Sequence, residues 1–366
     1  MNDDLLIREL EDQFEYFLKN VPCINEVPRS YSEINGIRMA SAKYWTCGFT
    51  PGSMWYMYEL TGNEKWKKVA TANTLKFEEV KNQTGTHDLG FIIFCSYGNA
   101  YRITNISEYK NIIIHASETL IKRFSPVTGC IRSWDWGAWE FPVIVDNLMN
   151  LEMLFWASEI TENSKFKDIA VSHADKTMEH HYRKNYSSYH VVDYDPKTGK
   201  PKAKETHQGA GDESSWARGQ AWGLYGYAVC YRETKNVKYL DFAQNIAKYL
   251  IDESPEDMIP YWDYDVADNL DEPRDASSAA IIASALYELA RLSSNNKNKY
   301  INFADRILHS LNSVKYRSKI GTNGGFLLMH STGNKPKETE VDSSINYTDY
   351  YYLEALKRQK EIKIDG

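Results

Sequence analysis

Two aspartates lie beside apolar segments, in positions where a carboxyl group could do acid/base chemistry. Asp88 follows His87 in "THDLGFIIF", and Asp146 follows three tryptophans and an apolar run in "SWDWGAWEFPVIVDN". Because burial disfavours a charged carboxyl, we expect a raised pKa for Asp146, which suits a general acid. Asp88, beside a histidine and at a helix N-terminus, is expected to stay ionised. Such a pair is typical of acid/base catalysis, commonly on glycosidic bonds. A helix cap is the alternative role for Asp88.

A third polar cluster lies at 206–222, in "THQGAGDESSWARGQAW", and supplies His207, Gln208, Arg218, Gln220 and Trp222. A guanidinium can bind a carboxylate with two parallel hydrogen bonds, so Arg218 is a candidate for binding an acidic substrate. An arginine that bridges the ends of two helices is the alternative.

A short motif recurs along the chain and indicates how these side chains are positioned. "TGNEKWKKVA" at 61, "TENSKFKDIA" at 161 and "TKNVKYLDFA" at 234 share Thr-x-Asn-x-Lys-aromatic, and weaker copies begin at 104 and 295. Each copy lies between a segment rich in small and aromatic residues and a segment that alternates apolar and charged residues. This pattern predicts a polar turn between two helices.

The number and type of these hairpins predict the fold. Segments such as "GQAWGLYGYAVCYRE" are apolar on nearly all sides and must be buried, whereas their partners have one charged face and must cover them. Five linkers and a last inner segment at 347–358 make six hairpins. We therefore predict an all-α fold, an (α/α)6 toroid or barrel, as a single catalytic domain over 1–366. Strand-like pieces such as "YHVVDYD" at 189–195 are expected to be insertions at the rim.

The candidate residues share one position in this repeat. Trp45, Asp88 and Arg218 each precede the threonine of the next linker by 16 residues, and Asp146 precedes it by 15. Sixteen helical residues span about 24 Å, so these side chains should gather at one end of the barrel, opposite the linkers. Helix caps also belong there, but caps do not require Trp or Arg. The pattern favours an active site at this end.

Composition excludes several other classes of function. The net charge of −7 provides no basic surface for nucleic acid or membranes. The N-terminal segment is acidic and amphipathic, unlike a signal peptide, and no run reaches the roughly 20 apolar residues of a membrane helix. Neither the paired His180 and His181 nor any cysteine has partners at metal-ligand spacing, so no metal is expected. The cysteines are odd in number and scattered, which favours reduced thiols in the cytoplasm: Cys23, Cys47, Cys95, Cys130 and Cys230.

Five motifs in order resemble the unsaturated glucuronyl hydrolases, glycoside hydrolase family 88. They are "HDLGF" at 87–91, the segment around Asp146, "RGQAW" at 218–222, "DASSAAIIASALYEL" from Asp275, and "DYYYLEALKR" at 349–358. The resemblance implies an (α/α)6 barrel without metal or organic cofactor. It also implies a substrate left by polysaccharide lyases, an oligosaccharide with an unsaturated uronic acid at its non-reducing end.

The resemblance further implies how the sequence's candidate residues would act. Asp146 would protonate C4 of the C4=C5 double bond and activate the water that adds at C5, after which the hemiketal opens and the leaving group departs. Asp88 would hold ring hydroxyls and stabilise developing positive charge. Substrate contacts are implied for the following residues: Trp45, His87, Trp134, His190, Thr206, Gln208, Arg218 and Trp222. The lysine-containing loop at 333–338 is expected near the leaving group.

Three alternatives stay open on the sequence alone. An unsaturated rhamnogalacturonyl hydrolase would use the same barrel and chemistry on a pectin fragment. A helical-repeat binding scaffold would need no chemistry, but it would have equal repeats in an extended array. A sugar epimerase of similar fold would need two histidines as acid and base, for which His190 and His207 are the candidates.

Overall fold

The computed structural model describes residues 3–21 and 26–365, so Cys23 lies outside the described residues. Twelve α-helices dominate this part of the chain. Their bounds are as follows: α1 Asp3–Asn20, α2 Phe49–Thr61, α3 Glu64–Thr74, α4 Asn99–Thr104, α5 Ser107–Leu120, α6 Leu151–Thr161, α7 Ser164–His181, α8 Ala217–Thr234, α9 Val237–Asp252, α10 Ala276–Leu292, α11 Lys297–Leu311 and α12 Asn346–Asp365.

The repeated motif forms the turns between inner and outer helices, as its residue types predict. Thr161 ends α6 and donates its hydroxyl to the Ala157 carbonyl at 2.6 Å. Glu162 takes a left-handed conformation with φ of 55°, and the side chain of Asn163 then accepts the Lys165 N–H to cap α7. The same threonine and asparagine bonds recur at the turns that begin at 61 and 234. The capped turn therefore reverses the chain with few unpaired backbone groups.

Six inner elements form a closed ring within the described residues, which confirms the (α/α)6 prediction. They are α2, the segment Gly90–Gly98 with α4, the segment Val145–Asn150 with α6, and then α8, α10 and α12. Each contacts the next, and α12 returns to contact α2. The outer layer consists of α3, α5, α7, α9 and α11, and α1 completes it by packing Phe14 against Trp66 of α3. A closed ring also excludes the extended array of a repeat scaffold.

Two inner elements depart from plain α-helix at the end where the site lies. Gly90–Gly98 is π-helical, and Val145–Asn150 is a 3-10 helix. Glycines allow close packing around these segments: a Cβ on Gly48, just before α2, would lie 2.3 Å from the Phe91 carbonyl oxygen, and one on Gly90 would lie 2.6 Å from the Asn150 Cα. Irregular helical turns of this kind are frequent at functional sites.

Short strands lie at the same end of the ring, as expected for rim insertions. Their bounds are β1 Glu26–Ser32, β2 Gly36–Ser41, β3 Phe124–Ser125, β4 Cys130–Ile131, β5 Pro142–Ile144, β6 Val191–Tyr194, β7 Pro201–Glu205 and β8 Ser344–Ile345. They form antiparallel sheets in the orders β2-β1-β8, β3-β4 and β5-β6-β7. The predicted strand at 189–195 is β6, which pairs with the strand that leads into Asp146. Among the described helices, none is long and apolar enough to cross a membrane.

Candidate active site

A cavity of about 440 Å³ opens at the end of the ring where the inner helices begin. Its walls come from the β1–β2 hairpin and from the loops that precede α2, the π-helical segment, β5 and α12. Of the residues implied by the family resemblance, six line it: Trp45, His87, Asp88, Trp134, Asp146 and Gln208. The shared position in the repeat therefore does bring distant parts of the chain to one cavity.

Asp146 is nearly buried in this cavity, with 6% of its surface exposed. It follows β5, and the preceding Val145 N–H donates to the His190 carbonyl at 3.1 Å, so strand pairing fixes its backbone. Burial raises the pKa of Asp146 to about 7, although the charge of Arg218 and the indole of Trp222 lower it. Its Oδ2 has no hydrogen-bond partner in the described structure. The apolar sequence flanks predicted this raised pKa.

His190 lies against Asp146 and is held in one tautomer. Its Nδ1 accepts the backbone N–H groups of His207 and Gln208 at 3.1 and 3.2 Å. The proton of the neutral ring must then be on Nε2, which lies 3.7 Å from Asp146 Oδ2. Burial lowers the pKa of His190 well below its ordinary value. With Nδ1 occupied by two N–H groups and the proton on Nε2, the neutral ring has no free lone pair with which to act as the base of an epimerase.

Asp88 lies in the turn before the π-helical segment, 19% exposed. Its carboxylate accepts the Thr86 hydroxyl and lies 3.2 Å from His87 Nε2. Its backbone carbonyl accepts the first helical N–H, from Ile92, but the carboxylate itself faces the cavity. Asp88 therefore occupies the position of a helix cap and also presents its carboxylate to the cavity. His87 is buried, which lowers its pKa.

Aromatic side chains form part of the cavity wall. The Trp45 ring stacks on Tyr347, with centroids 5.3 Å apart. Trp134 stacks on Trp136 at 4.7 Å and 12° between the planes. Sugar rings bind such flat aromatic faces in concave sites of this type.

The structure places Arg218 differently from the sequence expectation of a substrate carboxylate contact. Arg218 is buried and does not line the cavity; its terminal nitrogens donate to the carbonyls of Thr332 and Gly333 at 2.6 and 2.7 Å. It also lies 3.4 Å from Asp275, the cap of α10. The bridging role, which the sequence left as the alternative, therefore fits this arginine.

Three other implied contacts lie behind the cavity wall. The hydroxyl of Thr206 accepts the Gly209 N–H at 2.7 Å and shapes the turn that follows β7. His190 and Trp222 are buried, and both lie next to Asp146. Gln208 does line the cavity, and its amide donates to the Gly333 carbonyl at 2.9 Å.

Cationic residues on the cavity wall were not predicted, apart from the loop at 333–338. Arg29 and Arg38, on the β1–β2 hairpin, and Lys43 line the wall. Arg29 pairs with Glu340 and lies over the Tyr44 ring at 4.2 Å. From the lysine-containing loop, Lys337 lines the cavity, and its Nζ lies 3.3 Å from His207 Nε2. Burial, together with the charge of Lys337, lowers the pKa of His207 to about 4.

A second cavity of about 520 Å³ lies at the other end of the ring, where the inner helices end. Its carboxylates Glu152 and Glu288 are bound by Arg232, and Glu354 is bound by Arg358. The described residues contain no group of three or more His, Cys, Asp or Glu that could hold a metal ion. The acid/base arrangement is therefore found at the first cavity.

Comparison with known proteins decides the family. The profile of Glycosyl Hydrolase Family 88 matches residues 23–359. The chain belongs to glycoside hydrolase family 88. An unsaturated glucuronyl hydrolase of Formosa agariphila is 44% identical over 361 residues, which cover 96% of this chain and 89% of that protein. An unsaturated chondroitin disaccharide hydrolase of Streptococcus pneumoniae is 33% identical, covering 97% of this chain and 90% of that protein.

Solved structures of unsaturated glucuronyl hydrolases have the same fold. An unsaturated glucuronyl hydrolase specific for heparin superposes with a TM-score of 0.95 and 45% identity, covering 99% of each chain. A variant of the Streptococcus agalactiae enzyme, in complex with dGlcA-GalNAc6S, superposes with a TM-score of 0.84 and 30% identity, covering 97% of this chain and 90% of that one. This family 88 chain is therefore a glycosidase with an (α/α)6 barrel.

Proposed function

We propose that this protein releases the unsaturated glucuronic acid from the non-reducing end of glycosaminoglycan-type oligosaccharides produced by lyases. The observation that carries the proposal is the state of Asp146: a nearly buried carboxyl with a pKa of about 7 and an unpartnered Oδ2, in one cavity with Asp88. A carboxyl that titrates near neutral pH can give a proton and take one back in the same cycle. The names of the relatives support the substrate class.

In the proposed reaction Asp146 gives its proton to C4 of the C4=C5 double bond, which leaves positive charge shared by C5 and the ring oxygen. Water adds its oxygen to C5 and returns a proton to the Asp146 carboxylate. The resulting hemiketal opens, the sugar becomes a ketone at C5 with an aldehyde at C1, and the leaving group departs as an alcohol. Asp146 ends the cycle protonated, so the steps balance without a cofactor.

The other residues of the cavity support this chemistry. The carboxylate of Asp88 is placed to bind ring hydroxyls and to stabilise the positive charge that develops after protonation. Trp45 and Trp134 offer flat faces for the sugar. His190 acts as a positioning residue: its Nε2–H faces Asp146, while its other nitrogen holds the loop that contains Gln208.

In this proposal Arg218 does not contact the substrate; it positions other parts of the site. Its guanidinium lies behind the wall, over the rings of Trp216 and Tyr347 at 4.5 and 5.2 Å, and fixes the loop at 332–333. Its charge also lowers the pKa of Asp146. Gln208 lines the cavity and is expected to contact the substrate. Thr206 and Trp222 do not line the cavity and act by supporting its wall.

A panel of unsaturated disaccharides tests the proposal. Heparin-type, chondroitin-type and hyaluronan-type disaccharides should lose the ultraviolet absorbance of their double bond, and Asp146→Asn should abolish this loss while the circular dichroism spectrum stays native. The rhamnogalacturonan disaccharide serves as the alternative substrate. Turnover of that sugar alone, or substantial turnover by Asp146→Asn, would overturn the assignment.

We also propose that the chain is a single catalytic domain and acts in the cytoplasm, on fragments that have been taken up. One closed ring supports the first point. The free thiols of Cys47, Cys95, Cys130 and Cys230 support the second, because cytoplasmic proteins keep cysteines reduced.

A further inference from the structure

Trp136 is a large aromatic side chain that remains 51% exposed at the cavity wall. Exposed aromatic surface on the wall of a concave site is typical of ligand-binding grooves. None of the roles proposed so far requires it, because the unsaturated sugar is served by Trp45 and Trp134.

The ring of Trp136 is held rigidly although it is exposed. One face stacks on Trp134 at 4.7 Å, and the rings of Trp139 and His207 contact it at 5.8 and 5.2 Å. The Lys337 Nζ lies over the ring, 5.7 Å from its centroid, where it would meet the acidic groups of a stacked saccharide. Trp139 is fixed in turn by a hydrogen bond from its indole N–H to Glu205. Gly137, with φ of 84°, makes the turn between the two tryptophans, and a Cβ there would lie 2.7 Å from the Trp139 ring. A rigid aromatic surface binds with little loss of conformational entropy.

Its position places Trp136 outside the sugar that reacts. A chain of rings leads outward from Asp146: His190 Nε2 lies 3.7 Å from the Asp146 carboxylate, the His207 ring lies 6.4 Å from the His190 ring, and the Trp136 ring lies 5.2 Å beyond His207. The unsaturated ring must react beside Asp146. Of the two stacked indoles, Trp134 is 7% exposed and Trp136 is 51% exposed, so Trp136 is the outer ring of the pair. It therefore lies on the side where the saccharide would continue beyond the bond that is cleaved.

From this arrangement we infer that Trp136 is a stacking platform for a pyranose ring of the leaving group, and that it gives the enzyme a preference for oligosaccharides over unsaturated uronides with a small leaving group. The inference rests on the proposed function. Trp136 neither protonates nor orients the reacting carbon; it adds binding energy to a remote part of the substrate.

The test compares two substrates in one series of variants. The substrates are a lyase-derived unsaturated tetrasaccharide and the methyl glycoside of the unsaturated uronic acid. Trp136→Ala should lower kcat/KM on the tetrasaccharide about threefold to tenfold, mainly through KM, and leave the methyl glycoside unchanged. Trp136→Phe, which keeps a flat ring, should recover part of the loss. Leu270→Ala, an exposed apolar residue outside this cavity, is the matched control.

Two results would overturn the inference. An equal loss on both substrates would mean that Trp136 only supports Trp134, and no loss on either would mean that no sugar stacks on it. Calorimetric titration of the tetrasaccharide into Asp146→Asn, with and without Trp136→Ala, gives a second reading that does not depend on turnover. If the wild type cleaves neither substrate, the proposed function fails, and the titration still decides whether Trp136 binds the saccharide.

Discussion

Asp146→Asn should make the protein more stable at pH 8 while it removes activity. Burial raises the pKa of this carboxyl from 3.8 to about 7, so above pH 7 the folded protein contains an ionised group in a site that disfavours the charge. At 1.36 kcal/mol for each pH unit between those two values, this cost is about 4 kcal/mol. Asparagine has nearly the same shape and never carries the charge.

The pH dependence of this stability difference follows from the protonation of Asp146 in the folded and in the unfolded protein. Below about pH 4 the carboxyl is protonated in both the folded and the unfolded protein, so the substitution should change stability little. Between about pH 4 and pH 7 only the unfolded chain ionises, and the relative gain of the asparagine variant grows; above about pH 7 both states are ionised and the gain stays constant.

Urea unfolding, followed by tryptophan fluorescence at pH 5, 6, 7 and 8, measures this difference. The wild type and Asp146→Asn should separate progressively up to pH 7, and the exposed Asp268→Asn variant should stay parallel to the wild type at every pH. A variant that is less stable than the wild type at pH 8, or a difference that does not change with pH, would refute the argument that Asp146 is a strongly desolvated carboxyl.

Three further outcomes follow from the same site. The kcat/KM of the wild type should fall about tenfold per pH unit above pH 7, because Asp146 must be protonated to act as the acid; a flat pH–rate profile from 6 to 9 would contradict this. His190→Ala should lower kcat about tenfold or more by releasing Asp146 and the following loop, and His190→Gln should recover part of the loss in the same assay. Arg218→Lys keeps the charge but loses the bonds to Thr332 and Gly333, so KM should rise without a shift of the alkaline limb; an unchanged KM would rule out this positioning role.

The hairpins could be predicted from the sequence because their determinants are local. A threonine that bonds back to its own helix, a left-handed residue and a capping asparagine all lie within three positions, as at Thr161, Glu162 and Asn163. The raised pKa of Asp146 could also be predicted, since its apolar neighbours are adjacent in the chain. The closed ring then followed from the number of hairpins.

The parts that escaped prediction depend on contacts between distant segments. Arg29 reaches the cavity because Glu340, more than 300 residues away in sequence, pairs with it. The bridging role of Arg218 depends on the cap of α10 and on the carbonyls of the loop at 332–333. No periodic pattern connects these segments, so a sequence shows that Arg218 is near the site but not what occupies its nitrogens.

The proposed mechanism requires that Asp146 protonates C4 of the double bond. The direct measurement is the reaction of an unsaturated disaccharide in D2O, with the C4 position of the product read by NMR at early times. The predicted result with the wild type is deuterium on only one face of C4. Asp146→Asn should form no deuterated product within the same time. Deuterium equally on both faces would mean that the double bond is hydrated after release, in solution, and would contradict the claim.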